Sequence, residues 1–342
     1  MAKFVRNLFS LALATCLAGA PLPAFAAAKK KTPVKTVAAK KSTPSKKSPT
    51  ATPAAARTTP APPKAPVRSA AEMLADGNLT LAAHGAIVVD AFSGAALYEK
   101  NPDATQYPAS TTKILTALLV IEAGNLEQEV EVTDEDSKVG ESGLSIKPGE
   151  RYSRRQMLFG LMLKSANDVA HALGRDNAGT MPLFAEKMTA RAHELGAKNA
   201  LFANPHGLHN AQHYCTPRDL ALIARAAMQQ PFFRQLVTTK AHPWARTDGN
   251  WMLSNHNRLL KEFPGCTGVK TGYTNPAQQV LVSAAVENGR EVIAVVMHTN
   301  KPGIWEDSKL LLSYGMQYPP GTGPKKTALP PVSVGPQSIT ED

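Results

Sequence analysis

Between about residues 110 and 230 the apolar positions recur every three or four residues, whereas beyond Lys240 they alternate or run together. The first period predicts helices. "KILTALLVI", entered through Ser110, is apolar almost all round and reads as a buried helix. Residues 154–164 and then "NDVAHALGRD" read as two helices separated by Ser165-Ala166. "MPLFAEKMTARAHELG" is an amphipathic helix stopped by Gly196. "TPRDLALIARAAMQ" is another, with Thr216 as N-cap, Pro217 at the first helical position and Asp219 in the first turn. "GESGLSIKPGERYS" reads as loop.

The second period predicts strands. "AHPWARTDGNWMLSN" reads as a hairpin across Asp248-Gly249, "TGVKTGYT" as a strand, and residues 278–298 as two strands joined by Asn288-Gly289. Two shorter strands lie near 86–90 and 95–99, around a Phe-Ser-Gly turn. The last strands are apolar at nearly every position, so helices must cover both faces of their sheet. "GIWEDSKLLLSYGM" supplies a C-terminal helix for one face. The expected fold class is α+β: an antiparallel sheet sandwiched between helices, with a mostly helical insertion between the first and last strands.

Composition sets the edges of this unit, expected over residues 71–315. Lys3 and Arg6 precede an apolar run from Leu8 to about Ala20, and Ala24-Phe25-Ala26 follows as a small-x-small cleavage site, the pattern of a secretory signal peptide over residues 1–26. Cys16 raises a lipoprotein alternative, which Thr15 before it disfavours. Residues 27–70 are mostly Lys, Ala, Pro, Thr and Ser, with eleven basic residues and no acidic one. Such a segment buries too little apolar surface to offset its ordering entropy and is expected to be a disordered tether. Leader and tether carry more positive charge than the net +11 of the whole chain, so the rest is slightly acidic. The tether suits electrostatic contact with anionic wall polymer or membrane, or none; export argues against nucleic acid. Residues 316–342, rich in Pro and Gly, are expected to be a disordered tail. Two cysteines remain after the leader, Cys215 and Cys266, and export permits either a disulfide or two free thiols.

The candidate chemistry begins with a lysine in a buried helix. Ser110 and Lys113 stand at i and i+3, within reach of one another on one face. Burial disfavours an ammonium, and a neutral amine beside a hydroxyl is a general base beside a nucleophile. A serine N–H at a helix N-terminus suits a developing oxyanion. Ser165-Ala166-Asn167 lies between two helices, and Lys270-Thr271-Gly272 lies on a strand where glycine permits close approach of a substrate backbone. Ser-x-x-Lys, Ser-x-Asn and Lys-Thr-Gly, in that order, form the penicillin-binding signature set.

"PASTTKILTALLV", "GLMLKSANDVAHALG", "ANPHGLHNAQHYCTPRDLALIAR" and "GVKTGYTNPAQQVLVSAA" resemble the D-alanyl-D-alanine carboxypeptidases, the low-molecular-mass penicillin-binding proteins, over residues 81–315. The resemblance implies the serine β-lactamase/penicillin-binding fold, an exported periplasmic or envelope enzyme, and no metal or organic cofactor. It implies peptidoglycan stem peptides as substrates and β-lactams as covalent inhibitors. In that reading Ser110 is the nucleophile and Lys113 its base. Ser165 and Lys270 relay a proton to the leaving amine, and Asn167 binds the substrate amide. Lys270 and Thr271 hold the terminal carboxylate beside Gly272. The N–H groups of Ser110 and Tyr273 form the oxyanion hole.

Two departures stand out. The sequence ends soon after Gly315, so the family's frequent C-terminal β domain and amphipathic membrane anchor are expected to be missing. Ile304 and Trp305 stand where many members carry a carboxylate-binding arginine, with His256 and Arg258 as candidate replacements. Both departures resemble the short endopeptidase branch, so cleavage of cross-links stands as the alternative to removal of the terminal D-Ala. A β-lactamase and a non-catalytic β-lactam sensor or wall-binding module rank lower; no Glu-x-x-Leu-Asn occurs between Asp168 and Pro205. His206, His209 and His213 fit no zinc spacing. Asp168 is expected to act structurally.

Overall fold

The computed structural model describes residues 69–246 and 249–323; the leader and nearly all of the tether, the tip of the expected hairpin and the last part of the tail lie outside the described residues. In chain order the elements are α1 (Ala70–Asp76), β1 (Gly85–Asp90), β2 (Ala96–Lys100), a 3-10 turn (Ala109–Thr112), α2 (Lys113–Glu122), β3 (Glu129–Glu131), α3 (Asp134–Ser137) and β4 (Arg151–Ser153). Then come α4 (Arg154–Phe159), a π turn (Gly160–Lys164), α5 (Asn167–Ala178), α6 (Met181–Glu194), α7 (Pro217–Ala227) and α8 (Pro231–Thr238). The last are β5 (Ala241–Arg246), β6 (Gly249–Ser254), α9 (Leu259–Glu262), β7 (Cys266–Thr274), β8 (Gln278–Glu287), β9 (Arg290–Thr299) and α10 (Lys301–Met316).

Five strands form one antiparallel sheet in the order β2-β1-β9-β8-β7, so the first hairpin of the chain pairs with the last strand. The unbroken apolar runs have the expected cause. Ile87 and Val89 of β1, with Ile293, Val295 and Met297 of β9, enter the core shared with α2 and α4 to α8. Their neighbours Ala86, Val88, Val292, Ala294 and Val296 enter a second core under α10. Alternation thus persists, and both sides are dry. The α+β sandwich and its helical insertion match the expectation.

Local differences have local reasons. β5 and β6 pair as the expected hairpin requires, its tip lying outside the described residues, but they make a sheet of their own apart from the main one. β4 occupies the end of the expected loop and pairs with β3. The expected helix over 154–164 changes winding midway, because Gly160 passes under Leu144 and Trp244; a Cβ there would lie 2.7 Å from Leu144 Cδ1. Ser69 and Glu72 form a capping box on α1, so the described body begins slightly before residue 71. At the other end residues 317–323 lie against the body: Tyr318 donates to Tyr314, and Arg290 donates to the Pro319 and Thr322 carbonyls. Neither Cys215, which is buried, nor Cys266 is in a disulfide. Among the described residues no helix is long and apolar enough to cross a membrane.

Candidate active site

Ser110 does not begin a helix, as its spacing suggested; it sits inside the 3-10 turn that precedes α2. The turn is built by its neighbours. Thr111 Oγ1 donates to the Pro108 carbonyl at 2.6 Å, and Ala109 takes a positive φ of 48°. The segment 204–208 packs directly against it. Asn204 Oδ1 accepts from the N–H groups of His206 and Gly207, at 3.3 and 2.7 Å. Gly207 has φ +87°, and a Cβ there would lie 1.8 Å from the Ala109 carbonyl oxygen, so only glycine permits this approach.

The segment's purpose at the site is the His206 carbonyl, which accepts from Lys113 Nζ at 2.6 Å. Lys113 Nζ also lies 2.7 Å from Asn167 Oδ1 and 3.0 Å from Ser110 Oγ. The side chain is fully buried and has no carboxylate partner. Burial, and then the charge of Lys270, push its amine well below the usual lysine value. Its three partners suit a neutral amine. Two N–H bonds serve the two carbonyl-type oxygens, and the lone pair is left for the Ser110 hydroxyl proton.

The second pair is Ser165 and Lys270. The π turn delivers Ser165 in a left-handed conformation, φ 64°, at the mouth of α5. Lys270 Nζ reaches Ser165 Oγ at 3.1 Å and the Thr271 carbonyl at 2.9 Å. Burial lowers its pKa to about 7. Asn167 donates its side-chain N–H to the Gly140 carbonyl at 3.0 Å and its backbone N–H to Ser142 O at 2.7 Å.

β7 closes the site from the side. Gly272 was expected to make room for a substrate backbone; the structure shows that it makes room for the serine turn. A Cβ at 272 would lie 2.9 Å from the Ser110 nitrogen and 3.1 Å from the Pro108 oxygen. The result is a cleft of about 250 Å³ lined by Ser110, Ser142, Ser165, His256, Thr271, Gly272, Tyr273, Gln279, Ile304 and Trp305. The eight residues expected to act on substrate meet at or beside this cleft: Ser110, Lys113, Ser165, Asn167, Lys270, Thr271, Gly272 and Tyr273.

His256 lines the cleft, but burial and the neighbouring Lys270 and Lys164 lower its pKa to about 4, so it is neutral near pH 7 and supplies no cation. Arg258 pairs with Glu262 at 2.7 Å and stacks over Trp305 at 5.2 Å. Neither is a free replacement for an arginine. His213 is structural: its Nδ1 accepts from the Ala203 N–H, so Nε2 donates to Thr112 Oγ1 at 2.8 Å. His209 stands edge-on to Tyr107. Asp168 accepts backbone N–H bonds, as a structural residue should.

Three contributors escaped the sequence reading. The His206 and Gly140 carbonyls act through backbone, which carries no residue signature. Ser142 lies in a segment legible only as loop; its Oγ donates to the Lys164 carbonyl at 3.1 Å.

Comparison with known proteins supports the same reading. The family model described as D-alanyl-D-alanine carboxypeptidase matches residues 70–301. The chain is 34% identical over 226 residues to D-alanyl-D-alanine carboxypeptidase DacF of Bacillus subtilis, covering 64% of this chain and 58% of that longer relative. It is 33% identical over 224 residues to the D-alanyl-D-alanine endopeptidase of Pseudomonas aeruginosa, covering 64% of this chain and 71% of that one. The crystal structure of the Streptomyces K15 DD-transpeptidase superposes with a TM-score of 0.67 at 33% identity, covering 70% of this chain and 99% of that one. The chain therefore belongs to the D-alanyl-D-alanine carboxypeptidase family, peptidase S11.

Proposed function

We propose that the protein is an exported serine D-alanyl-D-alanine carboxypeptidase that removes the terminal D-alanine from peptidoglycan stem peptides through an acyl-enzyme. The observation that carries this reading is the 3.0 Å approach to Ser110 Oγ of a buried amine, Lys113 Nζ, whose hydrogen bonds go to no carboxylate. Ser110 Oγ attacks the carbonyl carbon of the penultimate D-alanine, and its proton passes to Lys113. The N–H groups of Ser110 and Tyr273, on adjoining pieces of chain, stabilise the oxyanion. The C–N bond breaks as Ser165, supported by Lys270, relays a proton to the departing amine; the proton that Lys113 took makes good the one Ser165 gives, so Lys113 is neutral again. Asn167 orients the substrate amide, and Lys270 with Thr271 meets the terminal carboxylate. Water, deprotonated through Lys113, then releases the shortened peptide. A β-lactam stops at the acyl stage. No step calls for a metal or organic cofactor.

Gly272→Ala tests the placement of the nucleophile. The added methyl must push the serine turn or the strand apart, and displacing a reacting group by about 1 Å costs about 10²-fold in rate. Stopped-flow acylation by a fluorescent penicillin reads this directly. A wild-type rate in the variant would contradict the close approach.

A second reading, cleavage of cross-links, is favoured by the far end of the cleft. Ile304 and Trp305 form its wall, His256 is neutral, and Arg258 is held by Glu262. Lys270, the cation expected to meet a free carboxylate, itself titrates near neutrality. Digestion of purified muropeptides, followed by mass analysis, separates the two. Pentapeptide monomers losing one alanine support the carboxypeptidase, dimers falling to monomers support the endopeptidase, and unchanged muropeptides would refute both. The basic tether, expected to suit wall or membrane contact, lies outside the described residues.

A further inference from the structure

Asp168 is the second residue of α5 and does not line the cleft. Its side chain is buried, and both carboxylate oxygens accept from backbone. Leu144 N donates to Oδ2 at 2.9 Å and Oδ1 at 3.2 Å, Ile146 N to Oδ2 at 3.3 Å, and Val169 N to Oδ1 at 2.9 Å. Burial raises the Asp168 pKa above the usual carboxylate value, but the backbone N–H bonds oppose this, and an acceptor-only pattern on both oxygens suits the ionised carboxylate. Its place in the first turn of α5 suits it too. The loop it grips contains Ser145 at φ +53°, a conformation that needs holding. Gly143 passes so close that a Cβ there would lie 2.9 Å from Asp168 Oδ2. From the other side, Arg246 donates to the Leu144 and Ser145 carbonyls.

This loop is what steadies Asn167. The Gly140 carbonyl takes the Asn167 side-chain N–H, and the Ser142 carbonyl takes its backbone N–H. The freed oxygen of the same carboxamide then faces Lys113 at 2.7 Å. We propose that Asp168 is a positioning residue: it clamps residues 140–146 beside the cleft and thereby fixes the Asn167 carboxamide, and through it the Lys113 amine, for acyl transfer. The proposal rests on the serine-peptidase reading of the site.

Charge gives the clamp a signature that packing alone lacks. The groups facing Lys113 are Lys270 from β7, Asp168 from α5, Glu141 from the loop, and His206 and His213 from the segment behind it. Burial lowers both histidines, His213 to about 4, so they are neutral near pH 7. Lys270 lowers the Lys113 pKa, whereas Asp168 and Glu141 raise it. Lys113 must be neutral to accept a proton, so acylation rises with pH through its titration. Removing the Asp168 charge lowers that titration and moves the acid limb to lower pH.

The test is the rate of acylation by a fluorescent penicillin against pH, in the full chain. Asp168→Asn turns an NH2 toward donors that need acceptors. It is expected to acylate about 10²-fold more slowly and to show its acid limb at lower pH. Gly143→Ala crowds the same carboxylate but keeps its charge; it is expected to be slow with the limb unmoved. A folded Asp168→Asn with the wild-type rate, or with an unmoved limb, overturns the proposal. Should Asp168→Asn not fold, Gly143→Ala decides: slow acylation supports the clamp, and a wild-type rate overturns it. Hydrogen exchange at the Leu144 and Ile146 amides is expected to quicken in Asp168→Asn whatever Ser110 does. A wild-type protein that takes no penicillin refutes the peptidase reading, whereas unchanged exchange at these amides refutes the clamp.

Discussion

Replacing Ser110 by alanine is expected to abolish covalent labelling by penicillin and all release of D-alanine, with circular dichroism unchanged. Ser110 Oγ is the hydroxyl in contact with Lys113, and it opens on the cleft. The second serine pair has a different surrounding: Ser165 faces Lys270, whose amine titrates near 7 and also serves the Thr271 carbonyl. Losing the Ser110 hydroxyl removes one bond to a group that keeps two others, so the fold loses little. Intact-mass measurement after incubation with penicillin settles the matter. An adduct on Ser110→Ala would place the nucleophile elsewhere.

Lys113→Met is expected to lower the acylation rate by about 10²- to 10⁴-fold, the range for a lost general base. Methionine fills nearly the same space but cannot take a proton. Two opposing effects act on stability. The His206 carbonyl and Asn167 oxygen lose a donor, at about 1–3 kcal/mol for each buried group left unsatisfied. Against this, a desolvated amine is removed from a site that resists its charge. The two largely offset, so activity falls far more than melting temperature. The pH profile gives the sharper reading. In the wild type the rate climbs with pH as Lys113 loses its proton, and Lys113→Met loses that climb. A variant that keeps the limb, or loses less than tenfold in rate, would remove Lys113 from the role of base.

Much of this was legible in the chain, for reasons that differ by residue. Ser110, Lys113, Ser165, Asn167 and Lys270 could be found because each contributes a side chain of recognisable chemistry at fixed spacing. The sandwich could be read because β8 and β9 are apolar on consecutive residues, which only a sheet covered on both sides allows. The π turn could not, because Gly160–Lys164 repeats with nearly the period of an ordinary helix; what distinguishes it is the packing of Leu144 and Trp244 from far along the chain. The carbonyls of His206 and Gly140 were invisible because every residue has one. α8 carried a signal in Pro231 at its first position, but eight residues are too few for periodicity to declare itself. His256 and Arg258 were singled out by charge; burial and an ion pair, properties of the folded state alone, take that role away.

The contact at Gly272 ties two distant parts of the chain to one small residue. The Ser110 turn lies over the face of β7, where a Cβ at position 272 would meet the Ser110 nitrogen and the Pro108 oxygen. A single hydrogen in place of a methyl group therefore sets how deeply the turn can settle on the sheet.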